Sequence, residues 1–241
     1  MKYTYSELRQ KAWKSLEGKW GASALFMLVY MACVYVIELI AGRPTSWRFV
    51  LIILMLALLP MAYAIAIAFL DVAKGGAAPK IAALFAPYQS QEKGIRYFLV
   101  QFWVGLFTFL WSLLFVIPGI IKAYAYAMTV FIAEENPELA PREAMAKSEE
   151  MMKGHKWELF VLDLSFIGWW LLCILTAGLL MLMVMPYMNT AHAHFYRMLK
   201  GEDDVVESSS SASGKDVVEA SSSAKGEPAA PKSEAPEEGK K

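Results

Sequence analysis

Charge and metal-binding chemistry are thinly spread in this sequence. Of its 241 residues 19% are charged, against 57% hydrophobic, and it holds three histidines and two cysteines. Cys33 and Cys173 both fall within apolar runs, so they suggest no disulfide framework. His192 and His194 stand two apart, which on a helix points them to different faces, with no cysteine or carboxylate at ligand spacing beside them. His155 falls in a loop with Lys153 and Lys156. No metal and no cofactor are therefore expected. The sequence also lacks a nucleophile elbow, a phosphate-cradling glycine run and a metalloprotease motif. That leaves no catalytic residue to nominate and little ground for an enzyme. A cleavable signal is missing too. Twenty residues precede the first apolar run, and no small-x-small site follows it, so the amino terminus reads as a retained anchor.

The long apolar runs decide the class. Residues 21–37, 49–70 and 97–121 contain no charge, and between Leu159 and Tyr196 the one charged residue besides the histidines is Asp163. A helix needs about 20 apolar residues to cross roughly 30 Å of hydrocarbon. Each run approaches or exceeds that, and the polar remainder is too short to wrap them as soluble core helices. Mean hydropathy, +0.38, is correspondingly high. Charge is segregated as well. Residues 201–241 carry ten acidic and five basic side chains, so the net charge of zero hides a body of +5 and a tail of −5.

The expected architecture is all-α, a polytopic helical membrane bundle of about six spans in three hairpins, with short amphipathic interfacial helices. Residues 1–20 form a cytoplasmic amphipathic helix in this reading. Thr4 and Glu7 fit a capping box, and Leu8, Ala12, Trp13, Leu16 and Trp20 recur opposite Arg9, Gln10, Lys14 and Glu17. Its expected role is anchoring at the interface. Residues 21–200 are the transmembrane domain. Span one covers about 21–41 with Glu38 near its far end; span two covers about 49–70 with Pro60 as a kink. Residues 79–88 read as an interfacial segment joined to the next span through Gln89–Arg96.

Residues 97–133 are too long for one crossing, since a straight helix of 37 residues would measure about 55 Å. Pro118-Gly119 punctuates the run and predicts a turn near Ile117–Ile121, with a return leg over 122–135 that is short, between Lys122 and Glu134-Glu135, and so reads as tilted or re-entrant. Residues 159–198 repeat the form around Thr176-Ala177-Gly178, with Pro186 to Asn189 able to break the last helix and Asn189 suited to an interhelical hydrogen bond. Between the two, a helix starting at Pro141 should place Met145, Ser148 and Met152 on one face and end at Gly154. Residues 1–20 hold five basic side chains, and 71–96 and 134–158 four each, whereas 42–48 holds two. By the positive-inside rule the first three are cytoplasmic, which requires an even number of crossings between them. Residues 201–241, with an imperfect twelve-residue repeat around Asp204–Glu207 and Asp216–Glu219, read as a disordered acidic serine-rich tail.

Glu38, Lys122 and Asp163 are the charged residues placed deepest. Each falls within a few residues of a predicted boundary, where charge is cheap, and lining a cavity is the functional alternative.

Several blocks in order resemble the bacterial integral-membrane proteins of domain-of-unknown-function family 975. They are Leu16-Glu-Gly-Lys-Trp20, Ile117-Pro-Gly-Ile120, Tyr124-Ala-Tyr-Ala-Met128, Asn136-Pro137, Glu143-Ala-Met145 and Met152-Lys-Gly154. Leu164-Ser-Phe-Ile-Gly-Trp169, Pro186-Tyr187, Ala191 and Phe195-Tyr196 complete them. Ala140 stands where the family commonly carries a small hydroxyl cap, which implies a weaker helix start. The chain is also distantly similar to the membrane domain of some glycerophosphodiester phosphodiesterases, without their active-site motif. The resemblance implies a multi-pass protein of the bacterial inner membrane. The expected role is a non-enzymatic scaffold or accessory protein whose partners are membrane lipid and a membrane protein, not nucleic acid. A small transporter or permease with a polar cavity is the alternative.

Overall fold

The computed structural model describes residues 4–41 and 48–202. The expected disordered tail, from 203 onward, and the connection over 42–47 lie outside the described residues. Within them the chain is helical throughout. α1 (Tyr5–Leu16) is followed by α2 (Trp20–Ala41), α3 (Arg48–Ala57) and α4 (Leu59–Ala73). Next come α5 (Ile81–Gln89), α6 (Gln91–Leu114), α7 (Val116–Ala125) and α8 (Thr129–Glu135). The set closes with α9 (Pro141–Met151), α10 (Lys156–Leu164), α11 (Ile167–Leu175) and α12 (Met181–Lys200).

Among the described residues, five stretches are long and apolar enough to cross a membrane: 20–39, 52–73, 91–114, 116–135 and 156–175. The sixth expected span, α12, is long enough but more polar, and it forms the centre of the bundle. It packs against α1, α2, α4, α10 and α11. Tyr187, Thr190, Ala191, His194, Phe195 and Arg197 along it are all buried.

Helix breaks follow from local chemistry. Pro60 has no N–H to give and its ring crowds the preceding turn, so the chain breaks at Leu58 and Pro60 enters the first turn of α4. The Tyr88 hydroxyl, reaching over from α5, donates to the Ala57 carbonyl at this break. The turn after α6 falls at Phe115, in extended backbone, and not at the expected Ile117–Ile121. Pro118 instead occupies the first turn of α7, a position proline favours. Gly119 serves close approach: a Cβ there would lie 2.1 Å from Ser112 Oγ on α6. The expected turn at Thr176-Ala177-Gly178 is present, with Ala177 and Gly178 at positive φ. Pro186 does not break α12, which runs through it. Thr190 Oγ1 donates to the Pro186 carbonyl and Asn189 Nδ2 to the Met185 carbonyl, each at 2.8 Å, so Asn189 bonds within its own helix and not across to another.

Two segments differ from their expected roles. Gln91–Arg96 is not a linker but the first turns of α6. α1, expected as an anchor at the interface, also docks on protein. Its stripe of Leu8, Ala12 and Leu16 is fully buried by α12 and α4, because protein offers this narrow stripe closer packing than headgroups can. The Glu7 carboxylate accepts the Thr4 N–H at 2.6 Å, as the capping reading requires.

Candidate functional site

The bundle's polar chemistry is gathered into cross-helix clusters. In the first, Tyr124 from α7, Asp163 from α10 and His192 from α12 converge. Tyr124 donates to Asp163 Oδ2 at 3.0 Å, and His192 Nε2 lies 2.6 Å from Asp163 Oδ1. The two histidines do face different ways: His194 Nε2 meets Ser15 Oγ of α1 at 2.8 Å. Tyr124 also lines a groove of about 300 Å³ with Ile120, Ile121, Lys156, Trp157 and Phe160.

The second cluster surrounds Glu134 and Glu135 at the end of α8. Tyr63 and Tyr97 each donate to Glu134 at 3.2 Å, their rings stacked with centroids 3.9 Å apart. Glu135 accepts from Lys74 at 2.8 Å, Tyr196 at 2.6 Å and Lys200 at 2.7 Å, tying α4, α8 and α12 together. Arg96 caps the same end of α8 by donating to the carbonyls of Ala133 and Asn136, as a cation at a helix C-terminus should. Arg197, buried, donates to the Ala73 carbonyl at 2.5 Å.

The third cluster seats α9. Ser148 is fully buried; its hydroxyl donates to the Ala125 carbonyl at 2.8 Å and accepts from the Met128 N–H at 3.2 Å. It thereby satisfies backbone groups freed by the break between α7 and α8. Met145 and Met152 are buried with it, as their spacing predicted. Lys122 pairs with Glu149 at 2.6 Å and lies over the Trp111 ring. That hydrogen bond holds the Glu149 carboxyl below its ordinary range, against the opposing effect of partial burial. At Ala140, where no hydroxyl is present, Glu143 Oε2 still accepts the Ala140 N–H at 3.0 Å and supplies half of a capping box.

Of the three charged candidates, Asp163 and Lys122 acquire specific partners and Glu38 stands exposed near the end of α2. His155 pairs locally with Glu158 at 2.7 Å. Among the described residues, no three His, Cys, Asp or Glu side chains converge as a metal site. Cys33 and Cys173 are free thiols. Sequence spacing missed the Asp163–His192 pair, since 29 residues separate its members. It also missed Glu134 and Glu135 as a site: they are the last two residues of the expected return leg over 122–135. Their adjacency to one another, directly after an apolar run, was the available signal.

A chain whose described residues are all-α, with five apolar helical stretches of crossing length among them, polar groups paired between helices and apolar side chains exposed outward, is a polytopic helical membrane protein in contact with lipid. The chain belongs to the family described as protein of unknown function (DUF975), whose model matches residues 1–124 and 113–203. No curated protein and no solved structure matches it.

Proposed function

We propose that this protein is a non-enzymatic integral membrane scaffold or accessory protein of the bacterial inner membrane. In this reading its apolar stretches form three hairpins and both termini are cytoplasmic. One observation carries it: Glu134, Glu135 and Asp163 each hold two or more partners from other helices, an arrangement that fixes helices rather than leaving a carboxylate to bind cargo. The basic segments 1–20, 71–96 and 134–158 support the orientation. Lipid, and a membrane protein docked against the bundle, are the partners this role calls for.

The second reading, a small transporter, is favoured by one feature. Asp163 and His192 are partly exposed, at 24% and 30% of their side chains, and an intramembrane carboxylate–histidine pair suits proton relay. Asp163→Asn separates the two. Purified wild type and variant are compared for thermal stability in detergent and for proton flux in vesicles loaded with a pH-sensitive dye. A scaffold loses stability and shows no flux above protein-free vesicles in either form. Wild-type flux abolished by Asp163→Asn would overturn the scaffold reading.

A further inference from the structure

α9 is a helix that needs water. Arg142, Glu143, Lys147, Glu149 and Glu150 all fall within its 11 residues. It docks across the α6–α7 hairpin at a defined height. The Arg142 guanidinium lies 4.2 Å from the Trp103 ring centroid and 5.9 Å from that of Phe107. Lys122 meets Glu149, and Ser148 bonds at Ala125 and Met128. Within the hairpin, what extends beyond this height lies inside residues 108–121, with Trp111 still level with the Lys122 ammonium, 5.2 Å from its ring centroid. From Lys122 back to Val116 the helix rises about 9 Å, and from Phe107 to Leu114 about 10 Å. The hydrocarbon core is about 30 Å thick, so each leaflet supplies about 15 Å.

The end of the hairpin is unsuited to water. Leu113, Leu114, Phe115, Val116 and Ile117 are between 63% and 74% exposed, and no charged residue lies between Arg96 and Lys122. We propose that the α6–α7 hairpin enters the membrane from one face and turns back inside it, its tip lodged among the acyl chains of one leaflet. A full crossing would put the tip at the far surface. Arg142, Lys122 and Glu149 would then sit only about 10 Å beneath that surface, dragging a charge-rich helix into hydrocarbon. Both stretches are apolar and long enough to cross, but much of that length is spent alongside α4, α8 and α9 before the hairpin clears the charged helix. Re-entry also preserves parity, because the chain returns to the side it left. The surface defined by 108–121 is therefore a lipid contact confined to one leaflet. It adds volume there and none opposite.

The test uses the full chain in phospholipid vesicles, with Cys33→Ser and Cys173→Ser as background. A nitroxide is attached at Phe115→Cys, with Ile117→Cys as a second tip position and Glu150→Cys as the aqueous reference. The expected result is strong collision with dissolved oxygen at both tip positions and little with a water-soluble nickel chelate present on both faces. The reference label should show the reverse. A tip label as open to the chelate as the reference would overturn the proposal. Independently, Phe115→Lys should lower the membrane-inserted yield roughly tenfold or more, because the charge lands in hydrocarbon. An unchanged yield would place the tip in water and also overturn it.

Discussion

Removing one oxygen atom from α9 should loosen the whole second half of the bundle. Ser148→Ala deletes a hydroxyl with no solvent exposure that both donates to the Ala125 carbonyl and accepts from the Met128 N–H. The two backbone groups flank the break between α7 and α8, and water has no route to replace the lost partner. Leaving a buried polar group unsatisfied costs about 1–3 kcal/mol. Two groups that can partly relax together should cost about 2–3 kcal/mol. For a chain of this size each kcal/mol lowers the melting temperature by roughly 2–4 °C, so a fall of roughly 4–12 °C is expected. A thiol-reactive fluorogenic dye provides the assay, since the free thiols of Cys33 and the buried Cys173 become reactive as the bundle opens. Ser112→Ala is the control. Ser112 is exposed and bonds only one turn back, to the Thr108 carbonyl, so its loss should move the midpoint by no more than about 1 °C. If the two variants melt together, Ser148 is not bridging the break and the account of how α9 is seated fails.

Gly119→Ala should also destabilise, because the new Cβ would lie 2.6 Å from Ser112 Cα and force α6 and α7 apart. Overpacking of this kind costs about 1–3 kcal/mol, and an unchanged melting temperature would contradict so close an approach. Tyr196→Phe keeps the ring stacked on Phe131 and removes only the hydroxyl bonded to Glu135, for an expected loss of about 1–2 kcal/mol in a denaturant melt. Lys74→Ala, at the same carboxylate, should cost less because the lysine side chain is 38% exposed; the opposite ranking would refute the assignment of Tyr196 as the stronger partner. Acid should release α9. Glu149 has a folded pKa below its ordinary 4.5, so its bond to Lys122 contributes fully above pH 4.5 and is lost as pH falls through the lower folded value. Pepsin cutting within α9 should therefore accelerate down that acidic range, and cutting that is flat with pH would exclude Glu149 as the clamp.

Much of the helical framework was legible because hydrophobic length and helix breakers act locally. The Pro60 break, the Gly178 turn and the buried stripe of Met145, Ser148 and Met152 all depend on residues within a few positions of one another. Pro118-Gly119 was misread by three residues, since proline can open a helix as readily as end one. The fate of α1 was not legible for a different reason. The same amphipathic stripe suits a headgroup layer or a protein groove, and the choice depends on partners far along the chain, such as Tyr187 against Trp13 and His194 against Ser15. Asp163 illustrates the same limit. Its position near a boundary is a local fact, whereas its partners come from α7 and α12 and are visible only once the chain has folded. Composition and spacing describe where charge sits along the chain; pairing depends on which helices become neighbours.

The seating of α1 on α12 bears on the order in which the protein is made. Ser15 and His194, which meet across that contact, are 179 residues apart. At about 5–20 residues per second, the ribosome needs roughly 10–35 s to supply the second helix after the first has emerged. Until α12 arrives the Leu8, Ala12 and Leu16 stripe has at most the α4 part of its seat, and the membrane surface is the natural place for the uncovered part of an amphipathic helix to wait. Assembly thus ends where synthesis began. Any chain that stops before α12 is left with its first helix only partly seated, its Ser15 without the His194 partner that closes the contact.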